Sequence, residues 1–552
     1  MCDAHEGPVY EESVNDERVR IRSPIRALSL FGRDLYLQHP RQSGLAMPRS
    51  LFILLGLVLL ACPLLPVPAA EAKAYNLLVI MTDEHNFRTL GCYRELLPES
   101  QALMWGKAVV ETPNIDWIAN NGAICTSFYA TTPVCSPSRG CFISGQYPQN
   151  TPVVTNNIAL DDNVITFAEL LKRQGYATGY AGKWHLDGVG KPRWAPKRKF
   201  GFEDNRFMFN RGHWKQLEVT PDGPRVAARD KQGKPSYSIE GANEKNFTTD
   251  FLCDKTVEFI ETNKEKSFCY MVSIPDPHGP DTVRAPYDTM YAEQTYRQPA
   301  SAKKPDEGLP SWGTKQQGNF NMSKYYGMVR CIDDNLGKII DALRERAILQ
   351  RTIIVFTSDH GDLRGEHHRH NKGVPYEAST RVPFLMHFPG KVNAGTVINE
   401  ALTSVDFLPT IMSMMGQKTA GREEGRDVST LFTTGKALED FTDVAFVRGT
   451  GVQQGWLSVV SDRYKLVYSP VDPPWLFDLQ RDPDEVTNYF EHAGYREVVQ
   501  ELGTHLRVYA KKHGDNFAEL PRIKADIAWS VSGTGAYEAP ELPRTKRKRK
   551  KS

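Results

Sequence analysis

Leu77-Leu78-Val79-Ile80-Met81-Thr82-Asp83-Glu84 decides the fold: five consecutive apolar residues, then an abrupt change to acidic side chains. A strand with one wet face would alternate, so a continuous apolar run predicts a strand covered on both faces. Three further runs read the same way: Tyr176–Tyr180, Phe268–Ile274 and Thr352–Phe356. Helix signals stand between them. Thr112-Pro113 opens a short helix through Trp117 and Ile118, and Thr166-Phe167-Ala168-Glu169 is a capping box with a stop at Gly175. Met328, Ile332, Leu336, Ile339, Ile340 and Leu343 keep helical spacing on one stripe. Buried strands alternating with helices predict an α/β fold: a large, mainly parallel mixed sheet sandwiched by helices.

Each run hands the chain to a polar residue. Asp83 follows the first, Lys183 and His185 the second, His278 the third, and Asp359 with His360 the fourth. Ligands of open α/β sheets bind beyond the carboxyl ends of the strands, so these side chains converge on one rim. Two strand-end carboxylates there suit a hard divalent cation, Ca²⁺ or Mg²⁺. Pro137 in Cys135-Ser136-Pro137-Ser138-Arg139 is placed to open a helix with Ser136 as its cap. Cys135 then lies at a helix N-terminus, where free N–H groups favour anions, and Arg139, four residues on, shares its face.

The rest of the chain sets bounds. At 552 residues it is long enough for two domains, and 40% hydrophobic with 24% charged residues is ordinary for a globular protein. A formal charge of +2 gives no reason to expect nucleic acid as a partner. Seven of nine cysteines lie beyond residue 74, too few for a disulfide scaffold and without paired C-x-x-C spacing.

Residues 47–74, with Met47-Pro48-Arg49-Ser50 before apolar Leu51–Leu65 and small residues after, read as a secretory signal and not a stable membrane span. Residues 1–46 are then an upstream extension, and the product is expected to be secreted or periplasmic. Leu59-Leu60-Ala61-Cys62 resembles a lipoprotein box imperfectly, which leaves lipid anchoring at Cys62 open. Residues 75–435 carry the catalytic domain. Beyond them Val444–Val447, Trp456–Val460, Tyr464–Val467 and Trp475–Leu479 predict a small antiparallel sheet, covered by one helix through Tyr495, Val498, Val499, Leu502, Leu506 and Tyr509, a subdomain of residues 436–535. Residues 536–552 form a basic tail with Arg544-Thr545-Lys546-Arg547-Lys548-Arg549-Lys550-Lys551. Asn205–Lys245 and Pro299–Asn319 are polar and predicted to be loops near the site.

Pro133-Val134-Cys135-Ser136-Pro137-Ser138-Arg139-Gly140-Cys141-Phe142-Ile143-Ser144-Gly145 resembles the first signature of the formylglycine-dependent sulfatases, with Ser144 where Thr is more usual. Gly175-Tyr176-Ala177-Thr178-Gly179-Tyr180-Ala181-Gly182-Lys183-Trp184-His185-Leu186 resembles the second. Ser358-Asp359-His360-Gly361-Asp362 with Gly365-Glu366-His367, Lys372, Glu377 and Arg381 resembles the metal and substrate segment, and Asp478-Leu479 with Asp482-Pro483 and Asn488 the C-terminal strand motif. The likeness runs from about Tyr75 to Phe490. It implies an alkaline-phosphatase-like fold and sulfate-ester hydrolysis on a sulfated poly- or oligosaccharide. Cys135 would be oxidised to formylglycine by a maturation enzyme, its hydrate attacking sulfur.

By that resemblance Asp83, Asp359, His360 and modified Cys135 ligate one divalent cation, Ca²⁺ first and Mg²⁺ or Mn²⁺ as substitutes. Glu84 replaces a more usual Asp and is either a further ligand or a neighbour of the ligands. Arg139 braces the nucleophile; Lys183, His278 and Lys372 bind sulfate and the leaving oxygen; His185 takes the proton that releases sulfate. Asp-His at 359–360, where many members have Asp-Asn, also occurs in relatives cleaving phosphonate or phosphate esters, which keeps a phosphonate monoester or phosphodiester hydrolase as the alternative. A non-catalytic polyanion binder with a decayed site is a third reading, opposed by the chemically competent residue at every reactive position. His367, His368 and His370 are irregularly spaced and read as loop or subsite residues. His213 and Trp214, in Phe207-Met208-Phe209-Asn210-Arg211-Gly212-His213-Trp214, are candidates for a sugar subsite.

Overall fold

The computed structural model describes residues 74–303, 309–314, 320–451 and 455–541. The upstream extension, the signal-like segment before Ala74, Cys62, the basic cluster at the C-terminus and parts of Pro299–Asn319 lie outside the described residues. Eight strands make the main sheet: β1 (Asn76–Asp83), β2 (Ala123–Cys125), β3 (Ala177–Lys183), β4 (Asp204–Phe209), β5 (Phe268–Pro277), β6 (Thr352–Ser358), β7 (Phe384–His387) and β8 (Thr396–Ile398). Their order is β8-β2-β7-β6-β1-β5-β3-β4. β1 runs parallel to both neighbours, with Leu77 opposite Cys269 and Ile353, and only β7 is antiparallel to its partners. The expected large, mainly parallel mixed sheet is present.

The apolar run behaves as a doubly covered strand should. Leu78 and Ile80 join one core cluster, with α1 (Pro113–Asn120), α4 (Thr248–Asn263) and α5 (Met322–Glu345) supplying Ile118, Ile260 and Leu336. Leu77, Val79 and Met81 face the other way, into a cluster with α2 (Cys135–Ser144), α3 (Phe167–Arg173) and α6 (Phe407–Met414). Successive side chains thus serve opposite cores, and each buried aliphatic contributes about 1.5–3 kcal/mol. Thr166 caps α3 by accepting from the Glu169 N–H, and Pro113 opens α1.

The C-terminal subdomain is a meander of β9 (Ala445–Arg448), β10 (Leu457–Val460), β11 (Tyr464–Tyr468) and β12 (Trp475–Asp478). One face (Leu457, Val459, Leu466, Leu476) is covered by α7 (Arg496–His513) and by α8 (Pro521–Ser532), so two helices stand where one was expected. Ile523 and Ile527 of α8 are the two apolar anchors that went unread. The opposite face (Val447, Val460, Val467, Phe477) packs on Leu363, Val374 and Tyr376 of the catalytic domain.

Two further expectations are corrected. Asn205–Lys245 is not all loop: Asn205 to Phe209 belong to edge strand β4, and Leu217–Thr220 pairs with Gly223–Val226. An edge strand with one partner tolerates polar residues that a central strand would not, which hid it. Ser136 does not cap α2. Val134 is the N-cap, Cys135 is the first helical residue, and the Ser136 hydroxyl donates to the His185 carbonyl at 2.7 Å. All seven described cysteines are buried free thiols.

Candidate active site and metal centre

The strand ends deliver their polar residues to one rim. Asp83 ends β1 and Lys183 ends β3; Asp359 and His360 directly follow β6; His278 follows β5. Cys135 enters from α2 and is 3% exposed. Its Sγ lies 3.2 Å from His360 Nε2, 3.4 Å from Lys183 Nζ and 3.9 Å from Asp83 Oδ1. One donor atom each from Asp83, Cys135, Asp359 and His360 falls within a 4.8 Å cluster, and all four residues are buried.

Arg139 builds the floor. Its Nε reaches Asp359 Oδ2 at 2.9 Å and its Nη2 reaches Asp83 Oδ2 at 3.1 Å. Nη1 donates to the Lys183 carbonyl at 2.7 Å and to Ser273 Oγ at 2.6 Å. One planar guanidinium therefore fixes both carboxylates and the end of β3, a geometry lysine could not reproduce. Lys183 Nζ pairs with Asp83 Oδ2 and lies 2.8 Å from His213 Nε2. Burial would raise the Asp83 carboxyl, but Lys183, His278, Arg139 and His213 hold it well below the usual carboxylate range. Asp359 is raised instead, by burial and by the charge of Asp83.

Burial also works to raise the Cys135 thiol, and Lys183, Lys372 and His360 overcome it, leaving the thiol well below its ordinary value. His360 places Nδ1 3.0 Å from the Gly361 carbonyl, which orients Nε2 toward the cluster. Two crowded, buried carboxylates with an imidazole aimed between them fit a divalent cation. Asp83, Asp359, His360 and residue 135 would hold it, and a cation there would offset the repulsion between the carboxylates.

A second group sits beside the first. His278 Nε2 is 2.9 Å from Glu84 Oε2 and 2.8 Å from Lys372 Nζ, and Lys372 is 3.1 Å from Glu84 Oε1. Of the two roles left open for Glu84, the geometry gives it that of a neighbour: its carboxylate holds His278 and Lys372 and is outside the four-residue cluster. Its backbone lies at φ 61°, a left-handed turn that swings the longer side chain away from Asp83. Burial raises the Glu84 carboxyl, and His278 and Lys372 more than compensate, so it is held low. His213 stacks on His278 with ring centroids 3.5 Å apart, closing this side of the rim. His185 is buried, its ring nitrogens have no hydrogen-bond partner among the described residues, and burial lowers its pKa.

Trp214 is not brought into this arrangement. It is 4% exposed, stacks on Tyr237 and donates its indole N–H to the Arg211 carbonyl, so it packs the core and cannot stack a sugar. His367 stacks on Tyr376 at 3.5 Å, and none of His367, His368 and His370 joins a described metal-type cluster. Sequence reading missed Ser273, which anchors Arg139, and Lys215, whose Nζ pairs with Asp276 at 2.6 Å beneath His278. A serine inside an apolar strand was the only signal for the first; a lysine in a polar stretch gave none for the second.

Comparison with known proteins agrees with this geometry. The sulfatase family profile matches residues 75–417, and the profile described as N-sulphoglucosamine sulphohydrolase, C-terminal, matches residues 365–512. An N-acetylglucosamine-6-O-sulfatase of Bacteroides thetaiotaomicron is 25% identical over 81% of this chain and 88% of its own. The crystal structure of a sulfatase described as putative, from Bacteroides fragilis, superposes with a TM-score of 0.67 at 26% identity, over 82% of this chain and 99% of that one. A phosphonate monoester hydrolase from Silicibacter pomeroyi shares the fold, with TM-score 0.62 and 20% identity over 81% and 97% of the two chains. The chain belongs to the sulfatase family, type I, of the alkaline phosphatase superfamily. It is a sulfuric ester hydrolase.

Proposed function

We propose that this enzyme removes sulfate from a sulfated oligo- or polysaccharide outside the cytoplasm, with Cys135 acting as formylglycine over one Ca²⁺. The observation that carries the reading is the placement of Cys135 on the first residue of α2, within 3.2–3.9 Å of His360, Lys183 and Asp83. The hydrated aldehyde supplies a nucleophilic hydroxyl at neutral pH together with a second hydroxyl through which it can later be regenerated. Asp83, Asp359 and His360 would hold the cation, whose charge offsets that of the sulfate being transferred.

The chain's own residues divide the remaining work. Lys183, Lys372 and His278 surround the space above Cys135 and balance charge on the sulfuryl oxygens. Lys372 and His278 face the leaving oxygen. His185 takes the proton that frees the sulfate, a task suited to an imidazole kept neutral by burial. Arg139, fixed by four hydrogen bonds, keeps the two carboxylates from turning as charge moves.

Carbohydrate specificity is supported by the N-acetylglucosamine-6-O-sulfatase relative, and secretion by the signal-like residues 47–74. His213, whose side chain is 22% exposed on the rim, is the residue here that would meet the sugar. Kinetics on defined sulfated oligosaccharides beside aryl sulfate, aryl phosphonate and aryl phosphodiester substrates test the reading. Preference for the sulfated sugar is expected; faster phosphonate cleavage would replace it with the phosphoryl alternative. Peptide mass spectrometry of active enzyme should show the Cys135 thiol gone, and metal analysis should find one Ca²⁺ per chain. Full activity with unmodified cysteine would end the formylglycine assignment.

A further inference from the structure

We propose that Trp456 and Lys465 of the C-terminal subdomain are positioning residues for Lys372. This rests on the reading above that Lys372 faces the leaving oxygen. Lys372 sits in a backbone stretch with two left-handed neighbours, Asn371 at φ 65° and Gly373 at φ 91°. A segment bent this way has no repeating hydrogen-bond ladder of its own, so its course is set by what grips it.

The grips are visible, and they divide by origin. On the catalytic side, the Asn371 N–H donates to Asp362 Oδ1 at 2.9 Å, and the Leu363 N–H donates to the Asn371 carbonyl at 3.0 Å. The Gly373 N–H donates to Ser379 Oγ at 3.0 Å. From the C-terminal subdomain, the Trp456 indole N–H donates to the Gly373 carbonyl at 3.1 Å. Lys465 Nζ donates to the Pro375 carbonyl at 2.9 Å while pairing with Glu377 Oε1 at 2.6 Å and Glu485 Oε1 at 3.0 Å. Glu485 Oε2 accepts the Glu377 N–H at 2.6 Å. Val374 and Tyr376 pack between these contacts on the face of the meander.

The consequence is directional. The carbonyls of Gly373 and Pro375 and the N–H and carboxylate of Glu377, all after Lys372, are held from the C-terminal subdomain, while the contacts of Asn371, before it, lie on the catalytic side. Lys372 Nζ spans the gap to reach His278 and Glu84. Loosening the far side shifts the ammonium without removing it. Such a shift is felt most by reactions that need the departing oxygen stabilised.

The test is a leaving-group series of aryl sulfates, from 4-nitrophenyl sulfate to phenyl sulfate, on the full-length enzyme. Trp456→Phe keeps the ring packing and deletes the indole donor. It should leave 4-nitrophenyl sulfate nearly untouched and lower kcat on phenyl sulfate about tenfold, the scale of one lost hydrogen bond. In a Lys372→Ala background the same substitution should change nothing further. Gly373→Ala strains the left-handed backbone where no atom crowds the new methyl, and it should reproduce the same leaving-group signature without touching the subdomain. Equal losses across the series, or losses that add to those of Lys372→Ala, would overturn the positioning role. Lys372→Ala with full activity across the series would instead remove the role given to Lys372 itself, and the inference with it.

Discussion

Two buried charge networks lie in this molecule, and they are built on opposite plans. At the rim, Asp83, Asp359, Arg139, Lys183, His360 and Cys135 crowd together, and the ring nitrogens of His185 next to them have no hydrogen-bond partner among the described residues. Beneath the meander, Lys465, Glu377 and Glu485 close on one another, and the ammonium meets three oxygens within 3.0 Å. Burial and charge are common to both. What marks the rim as chemical is convergence: two carboxylates, a thiol and an imidazole bring one donor atom each within 4.8 Å of one another. The clamp spends its donors on backbone and carboxylates and leaves none to offer a ligand.

The contrast is open to attack. Asp359→Ala should cost activity above all, beyond about 10³-fold in kcat as for loss of a central electrostatic group, with a thermal midpoint within about 4 °C of the parent. A collapse of stability instead would make the rim carboxylate structural. Lys465→Met should tell on the fold besides the leaving-group series: Glu485 loses its buried cation and Glu377 is left to Arg381, so chemical denaturation should show a loss of about 3–5 kcal/mol. An unchanged midpoint would mean that the clamp is decoration.

A third experiment reads the clamp through pH. Burial, with Glu377 adding to it against the pull of Lys465, pushes Glu485 from 4.5 up to about 7. The folded state therefore binds this proton more tightly than the unfolded chain. Its contribution is fully present below about pH 4.5 and is lost as pH rises through 7. Glu485→Gln, which cannot titrate, should flatten the stability profile between those limits; an unaltered slope would place the titration elsewhere. The smallest effect is expected at the surface. Arg173→Ala breaks an exposed i,i+4 pair with Glu169 at 2.9 Å and should move stability by less than about 0.5 kcal/mol.

What could be read from the sequence follows the same division. β1, β3, β5 and β6 were legible because a strand buried on both faces must be apolar throughout, and the polar residue ending each one was legible with it. That placed Asp83, Lys183, Asp359 and His360 on one rim before any contact was known. The Cys135–Arg139 signature added the nucleophile. Edge strand β4 was hidden by its polar residues, and β2, β7 and β8 because three or four residues carry little pattern. The role of Glu84 stayed open because the turn of its backbone does not show in its neighbours, and Trp214 was misjudged because its packing on Tyr237 is a contact that the local sequence does not reveal. The clamp on Lys372 was beyond reach, because Trp456 and Lys465 meet that segment only through the packing of one subdomain on another.

The position of β1 carries one more consequence, for how the chain comes to exist at all. It is among the first strands made and lies at the centre of the sheet, yet its partners arrive late. Asn76 meets Phe268 across 192 residues of chain and Thr352 across 276. Until β5 leaves the ribosome, Leu77–Met81 has neither edge paired, and until β6 follows one edge stays open; closing loops of that length makes assembly slow. The nascent protein must therefore carry an apolar strand with at least one open edge until β6 is made, sticky to any other open edge. Asp83 and Asp359 are strangers until then, and a chain halted before β6 holds no part of the cation site except its first ligand and its cysteine.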